Sequence, residues 1–281
     1  MTQKVEAKAK RLEAVGRDRT IEALSSSTEY QTLAKKHIEW VLGSEFTFSE
    51  GNYGAFSMLK LWSSNVYKIT YHESVEILRI KSKKKIIAYL DSRYKYSLYP
   101  KLKLLGRYPP CVQIEVSSIC NYRCKMCFQV DKTFSNPKSE HMGSMEIELF
   151  KRVVDQLEGN VESITIASRG EPLMCRDLKY MMNYLKDKFI CLKINTNLSL
   201  MTEEIAFALL QAHPQTIVFS LDSGDDELYK TIRVNGQLTR IKEKLDLFQS
   251  VYERVSSDCI IRISGVAVDK NQSTAELSNS Y

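Results

Sequence analysis

The sequence predicts an α/β protein: a partial (β/α) barrel that stops after its fifth strand, preceded by a mainly helical, basic N-terminal region. Three observations carry this expectation. After Pro110, short apolar runs of strand length alternate with amphipathic stretches of helix length, which implies a parallel sheet, either barrel-like or doubly wound. Every one of those strands is followed at its C-terminal end by polar or ligand-type residues, and (β/α) barrels build active sites from those ends, so the barrel is favoured. Charge also shifts along the chain. Residues 1–110 hold 20 Lys+Arg against 11 Asp+Glu, whereas residues 111–281 hold 20 against 23. A basic front and a slightly acidic back suggest two parts with different roles, 1–110 and 111–281, with Pro109-Pro110 as the boundary.

In the front part, residues 4–24 read as an exposed helix rich in Ala, Glu, Lys and Arg, broken by Ser25-Ser26-Ser27. A second helix runs over 29–42, with Leu33, His37, Trp40 and Val41 on one side and Gly43 at its end. Gly51-Asn52-Tyr53-Gly54 marks a turn, and 66–71 and 75–80 alternate enough for two short strands. Residues 81–108 carry nine Lys+Arg and one acid, Asp91, interleaved with Tyr89, Tyr94, Tyr96, Tyr99 and Tyr108. That pattern suits either RNA binding, by phosphate contact and base stacking, or a solvated connector whose tyrosines pack on the next domain.

Behind Pro110 the expected strands are 112–117, 163–168, 191–195, 216–221 and 260–268. Between them lie helices over 146–158 and 177–187, one capped by Thr202, and one over 238–254, each with its apolar residues on one face. The strand ends bring forward Cys120, Cys124 and Cys127, then Arg169-Gly170-Glu171, Asn195-Thr196-Asn197, Asp222-Ser223 and Asp269.

Hydrophobic residues make up 43% and charged residues 26% of the 281, which excludes a wholly disordered chain. No apolar run approaches the ~20 residues of a membrane helix, and the polar N-terminus has no apolar signal core, so the expected compartment is the cytoplasm. Seven cysteines, an odd number, argue against a disulfide framework. Three of them form Cys120-x3-Cys124-x2-Cys127 in the loop after the first strand. Such a loop can converge on one metal centre. Zinc would need a fourth ligand, which His141 can supply. An iron–sulfur cubane usually takes four cysteines, and three leave one iron open for a substrate or cofactor.

Further motifs accompany the cysteines. The second strand ends Ala167-Ser168-Arg169-Gly170-Glu171-Pro172-Leu173, and the fourth ends Phe219-Ser220-Leu221-Asp222, followed by Tyr229-x-x-Ile232-Arg233. Together these resemble the radical S-adenosylmethionine (radical SAM) superfamily, in its maturase-like branch, over residues 111–270. Arg169 stands where the family's Gly-Gly-Glu-Pro motif usually has its first glycine.

The resemblance implies that Cys120, Cys124 and Cys127 hold three irons of a [4Fe–4S] cluster and that the open iron takes S-adenosylmethionine. It implies that Met126 lies near the adenine, that Gly170 and Glu171 meet the methionyl amino group, and that Ser220 and Arg233 meet the carboxylate. Asn195 and Asp222 are then candidates for ribose or methionine contacts, and Ile263 and Val266 for packing on adenine. Each has a plainer alternative, such as a helix cap for Asp222 or a core gap-filler for Met126. The implied activity is reductive cleavage of S-adenosylmethionine to a 5′-deoxyadenosyl radical that abstracts hydrogen from a peptide or a sugar-type metabolite, with a reducing electron donor as partner. The family's sixth β-α unit and the branch's cysteine-rich extension are not in the sequence, so either the sequence is a fragment, the favoured reading, or a partner covers the exposed sheet edge.

Overall fold

The computed structural model describes residues 28–43, 53–64, 67, 69–136 and 138–266. The expected helix over 4–24, Asp269 and residues 272–281 lie outside the described residues. The chain divides into two compact units, Met1–Pro110 and Cys111–Tyr281.

Four helices make up the described part of the first unit: α1 (Thr28–Leu42), α2 (Tyr53–Ser63), α3 (Tyr71–Arg79) and α4 (Lys83–Leu102). In α1 the core face is Tyr30, Ala34, Ile38 and Leu42, with His37 donating to the Ile80 carbonyl at 2.7 Å. Trp40 does not share that face and is 56% exposed. The expected turn at 51–54 instead opens a helix at Tyr53. A Cβ on Gly54 would lie 1.9 Å from Asp91 Oδ1, so glycine lets α2 and α4 approach closely.

In the stretch expected as a strand over 66–71 the described residues 67, 69 and 70 are irregular, residues 66 and 68 lie outside the described residues, and Tyr71 opens α3. The strand expected over 75–80 is replaced by α3. Its start is a capping box: Glu73 N donates to Thr70 Oγ1 at 3.2 Å and Thr70 N donates to Glu73 Oε2 at 2.7 Å. The apolar residues of this stretch satisfied a period of two by chance, while the cap fixes a period of 3.6. Most of the basic segment 81–108 forms α4. Tyr89 is buried with its hydroxyl on Glu76, and Arg93 pairs with Glu73 at 2.7 Å.

The second unit is a five-stranded parallel sheet in the order β1-β3-β4-β5-β7, of the partial (β/α) barrel kind. The strands are β1 (Cys111–Ile114), β3 (Ser163–Ile166), β4 (Cys191–Thr196), β5 (Thr216–Ser220) and β7 (Ile260–Ser264). A separate antiparallel pair joins β2 (Arg123–Cys124) to β6 (Arg233–Val234). Helices α5 (Ile147–Leu157), α6 (Leu178–Leu185), α7 (Glu203–Gln211), α8 (Asp226–Ile232) and α9 (Leu238–Val255) fall between the strands.

Sequential strand order with a helix in each crossover places α5 beside α6, α6 beside α7 and α7 beside α9. Register puts Ile114, Ile166, Ile194 and Ile217 in one row, all at most 4% exposed. Phe219, on the same face, packs edge-on against Phe248 of α9. The last strand ends at Ser264 and not at Val268: at Gly265 a Cβ would stand 2.5 Å from the Leu221 carbonyl oxygen, and the chain turns there toward Asp222.

Candidate functional site

The C-terminal ends of β1, β3, β4 and β5 gather most of the residues that the sequence singled out. The loop after β1 carries the three cysteines, and two of them accept backbone hydrogen bonds. Tyr122 N donates to Cys120 Sγ at 3.4 Å and Gln129 N to Cys127 Sγ at 3.5 Å. Donors aimed at sulfur favour the thiolate that a metal requires. Burial opposes them, pushing the Cys120 thiol up to about 11. Cys124 is also raised by burial, with Arg233 opposing and Asp222 reinforcing the shift. A metal centre that binds the thiolates must therefore displace protons.

Three ties hold this loop in place. The β2–β6 pair sets Cys124 opposite Arg233, and Lys125 N donates to Ile232 O at 2.9 Å beside it. Asn121 and Asn197 bond at 3.0 Å, and Asn121 also reaches Ser199 at 2.8 Å, fastening the loop to the end of β4. Gln129 Nε2 donates both to Ser118 O at 2.8 Å and to Arg169 O at 3.0 Å, strapping the loop to the ends of β1 and β3. None of the three ties was visible in the sequence, because each joins residues that only the fold brings together.

At the end of β3 the backbone runs tight under the loop. A Cβ on Gly170 would sit 2.1 Å from the Ser117 carbonyl oxygen and 2.6 Å from that of Ile119. Arg169 binds Glu115 through Nε at 2.8 Å and again through Nη2, and its backbone N donates to the same carboxylate at 2.9 Å. Burial alone would raise Glu115, but the hydrogen bonds from Arg169 outweigh it, and its carboxyl is held below the usual range. The arginine in place of the family's glycine is thus fully used within the protein.

Glu171 is 3% exposed, and its carboxylate accepts from Leu173 N at 3.1 Å, Thr196 Oγ1 at 2.6 Å and Asn197 N at 2.7 Å. Its side chain couples the ends of β3 and β4. Burial pushes this carboxyl up, against the pull of those donors and of the Arg233 charge. Asn195, near the end of β4, has a buried Oδ1 with no hydrogen-bond partner among the described residues. Asp222 is fully buried: Oδ2 receives Arg233 Nε at 2.5 Å and Oδ1 receives Val266 N at 2.8 Å. The plainer reading of Asp222 as a helix cap is excluded, since the cap of α8 is Asp225.

The remaining expectations divide. Met126 is half-buried in the turn between Cys124 and Cys127, and Ser220 is half-buried at the end of β5. Ile263 is in register with Phe219 and therefore faces the helices, away from the site. Val266 lies beyond β7 and is 53% exposed, tied to the site through its backbone N. His141 does not complete a zinc site. Its Nε2 is 3.2 Å from Phe134 O and 3.3 Å from Ser139 Oγ in an exposed turn. Among the described residues no three His, Cys, Asp or Glu are gathered closely enough for a single metal ion.

Residues 114–277 match the radical SAM superfamily, more than half of the chain. The chain belongs to the radical SAM superfamily. Members of this superfamily are enzymes that use a [4Fe–4S] cluster and S-adenosylmethionine. GTP 3',8-cyclase of Aliarcobacter butzleri (strain RM4018) is 27% identical over 157 residues, covering 55% of this chain and 47% of that protein. The S-adenosylmethionine-dependent nucleotide dehydratase of Selenomonas ruminantium is 34% identical over 92 residues, 32% of this chain and 30% of that protein. The fold is similar to Streptococcus suis SuiB bound to the precursor peptide SuiA, with TM-score 0.52 and 20% identity over 80% of this chain and 47% of that one. The chain thus spans about half, or less, of the length of the curated relatives it matches.

The residues present fit the superfamily's cofactors. Three thiols sit on one braced loop with N–H donors on two of the sulfurs. The orphan Asn195 Oδ1 supplies an unmet acceptor for a polar ligand at the strand ends. Gly170 lets the end of β3 pass directly under the segment that leads into Cys120, against the Ser117 and Ile119 carbonyls. Among the described residues, no helix is long and apolar enough to cross a membrane.

Proposed function

We propose that residues 111–281 are the core of a radical SAM enzyme that abstracts hydrogen from a small-molecule or peptide substrate, with an external reductant as partner. The reading rests above all on the cysteine loop: three thiols on one loop that β2–β6 pins at Cys124, opposite Arg233 of the buried Asp222–Arg233 pair. When bound, the cluster and S-adenosylmethionine supply one-electron cleavage of the sulfonium to a 5′-deoxyadenosyl radical.

Cys120, Cys124 and Cys127 are the cluster ligands. Gly170 lets the end of β3 lie against the cysteine loop and meets the methionyl end through its backbone, and Asn195 offers its Oδ1 to a donor of the cofactor. Ser220 and the terminal nitrogens of Arg233, which make no hydrogen bond among the described residues, receive the carboxylate. Asp222 and Glu171 act behind these residues. Asp222 aims the guanidinium and anchors Val266, and Glu171 locks the β3 and β4 ends so that the floor of the site does not move. Met126, half-buried between Cys124 and Cys127, would pack near the adenine.

The named activities of relatives lie on both sides of the substrate question. Two are named for nucleotides, and SuiB was solved with a peptide.

The test is electron paramagnetic resonance on anaerobically reconstituted, reduced protein with and without S-adenosylmethionine. The expected result is a reduced cubane signal that changes on adding the cofactor and is lost in Cys124→Ser. Stoichiometric zinc with no iron, or a signal indifferent to S-adenosylmethionine, overturns the reading.

A further inference from the structure

The side chains of the parallel sheet separate by face. The helix-covered face is aliphatic, with the row Ile114, Ile166, Ile194 and Ile217 fully packed. The opposite face, which a (β/α) barrel turns inward, presents Gln113, Thr165, Lys193, Asn195, Ser220 and Arg262. Each of these six is half-buried or exposed. Barrel interiors are ordinarily filled by branched apolar side chains. Here the inner face of the strands carries two cations and no acid.

Among the described residues, the acids just beyond the strand ends are already engaged, Glu115 by Arg169, Asp222 by Arg233 and Glu171 by Thr196 and Asn197. Arg262 makes no hydrogen bond or ion pair among the described residues. It shares a row with Asn195, with Val218 between them. Two strand spacings put the two backbones roughly 10 Å apart, and Lys193 sits one step, about 7 Å, deeper along β4. A guanidinium on this wall, with no counter-charge among the described residues, has its donors open to an anionic ligand.

We infer that this inner wall recognises an oxyanion on the substrate, a phosphate or a carboxylate, with Arg262 and Lys193 as the recognising cations and Asn195 at the border with the cofactor. The inference rests on the radical SAM reading, because it takes the strand ends for the cofactor and the wall beneath them for the substrate. Bidentate guanidinium contact gives orientation as well as affinity, which hydrogen abstraction at one chosen carbon requires.

The test is anaerobic isothermal titration calorimetry of the full reconstituted chain with inorganic phosphate and with succinate, on wild type, Arg262→Gln and Lys193→Gln. At least one anion is expected to bind, more weakly as salt rises, and which of the two binds tells phosphate from carboxylate. Arg262→Gln is expected to weaken that binding at least about tenfold while the spectroscopic response to S-adenosylmethionine persists. If Arg262→Gln does not fold, Lys193→Gln must weaken binding in its place.

Binding of neither anion, or equal binding by wild type and both variants, overturns the inference. So does loss of the S-adenosylmethionine response in Arg262→Gln with anion binding intact, which would move Arg262 into the cofactor site. A wild type that takes up no cluster defeats the functional reading instead, and that outcome is read from iron content independently of the titration.

Discussion

Replacing Gly170 with alanine tests whether the end of β3 is built around a missing side chain. The added Cβ would stand 2.1 Å from Ser117 O, against the 3.4 Å at which ordinary contact begins, a deficit of about 1.3 Å. Ile119 O, at 2.6 Å, blocks a second direction, and both are backbone atoms that cannot rotate away. Relief must come from moving either the β3 end or the segment that leads into Cys120. The first strains the Glu171 N to Ile119 O bond of 2.8 Å, and the second displaces a cluster ligand.

Overpacking of this kind costs about 1–3 kcal/mol, and rigid neighbours put this site at the upper end. With a urea m-value near 2 kcal/mol/M, a loss of about 3 kcal/mol lowers the midpoint by about 1.5 M. The assay is urea unfolding followed by circular dichroism, with iron content measured after anaerobic reconstitution. Gly143→Ala is the control. Nothing lies within 4 Å of its added Cβ and its φ is not positive, so it is expected to be neutral or to stabilise by about 0.4–1 kcal/mol. An unchanged midpoint and full iron content in Gly170→Ala would refute the argument.

Other substitutions probe the supports of the site. Asp222→Ala leaves Arg233, 8% exposed, without its partner and is expected to cost about 3–5 kcal/mol in urea unfolding. Equal stability would mean that the pair is not buried in solution. Glu115→Gln removes charge-assisted bonds to Arg169, and partial exposure reduces the expected cost to about 1–2 kcal/mol at pH 7. Glu115 is held low in the folded state, so its contribution is present above the ordinary carboxylate value and is lost as pH falls through the lowered one. Wild type and Glu115→Gln are therefore expected to converge in stability in acid, and a difference that persists at low pH contradicts the assignment. In the N-terminal unit, Thr70→Ala removes the capping box of α3 and should cost about 1 kcal/mol, read by thermal unfolding.

The sequence by itself determined the parts that depend on local spacing. Alternating strand and helix periods gave the five parallel strands and their order of appearance. The Cys120-x3-Cys124-x2-Cys127 spacing placed three ligands on one loop whatever the rest of the chain does. Where two periods competed, as over 66–80, the short apolar pattern was ambiguous, although Thr70 and Glu73 already spelled the helix start that decides it.

Tertiary structure alone decided what each polar side chain does. Glu171 and Asp222 stand in the family's motif positions, but their carboxylates are spent on Thr196, Asn197 and Arg233, partners 25, 26 and 11 residues away. Register decided that Ile263 faces the helices while Arg262, its neighbour, faces the barrel interior, because adjacent residues of a strand point to opposite sides. A hydrogen bond between distant residues leaves no period in the chain, and its partners become known only when the strands that carry them are laid side by side.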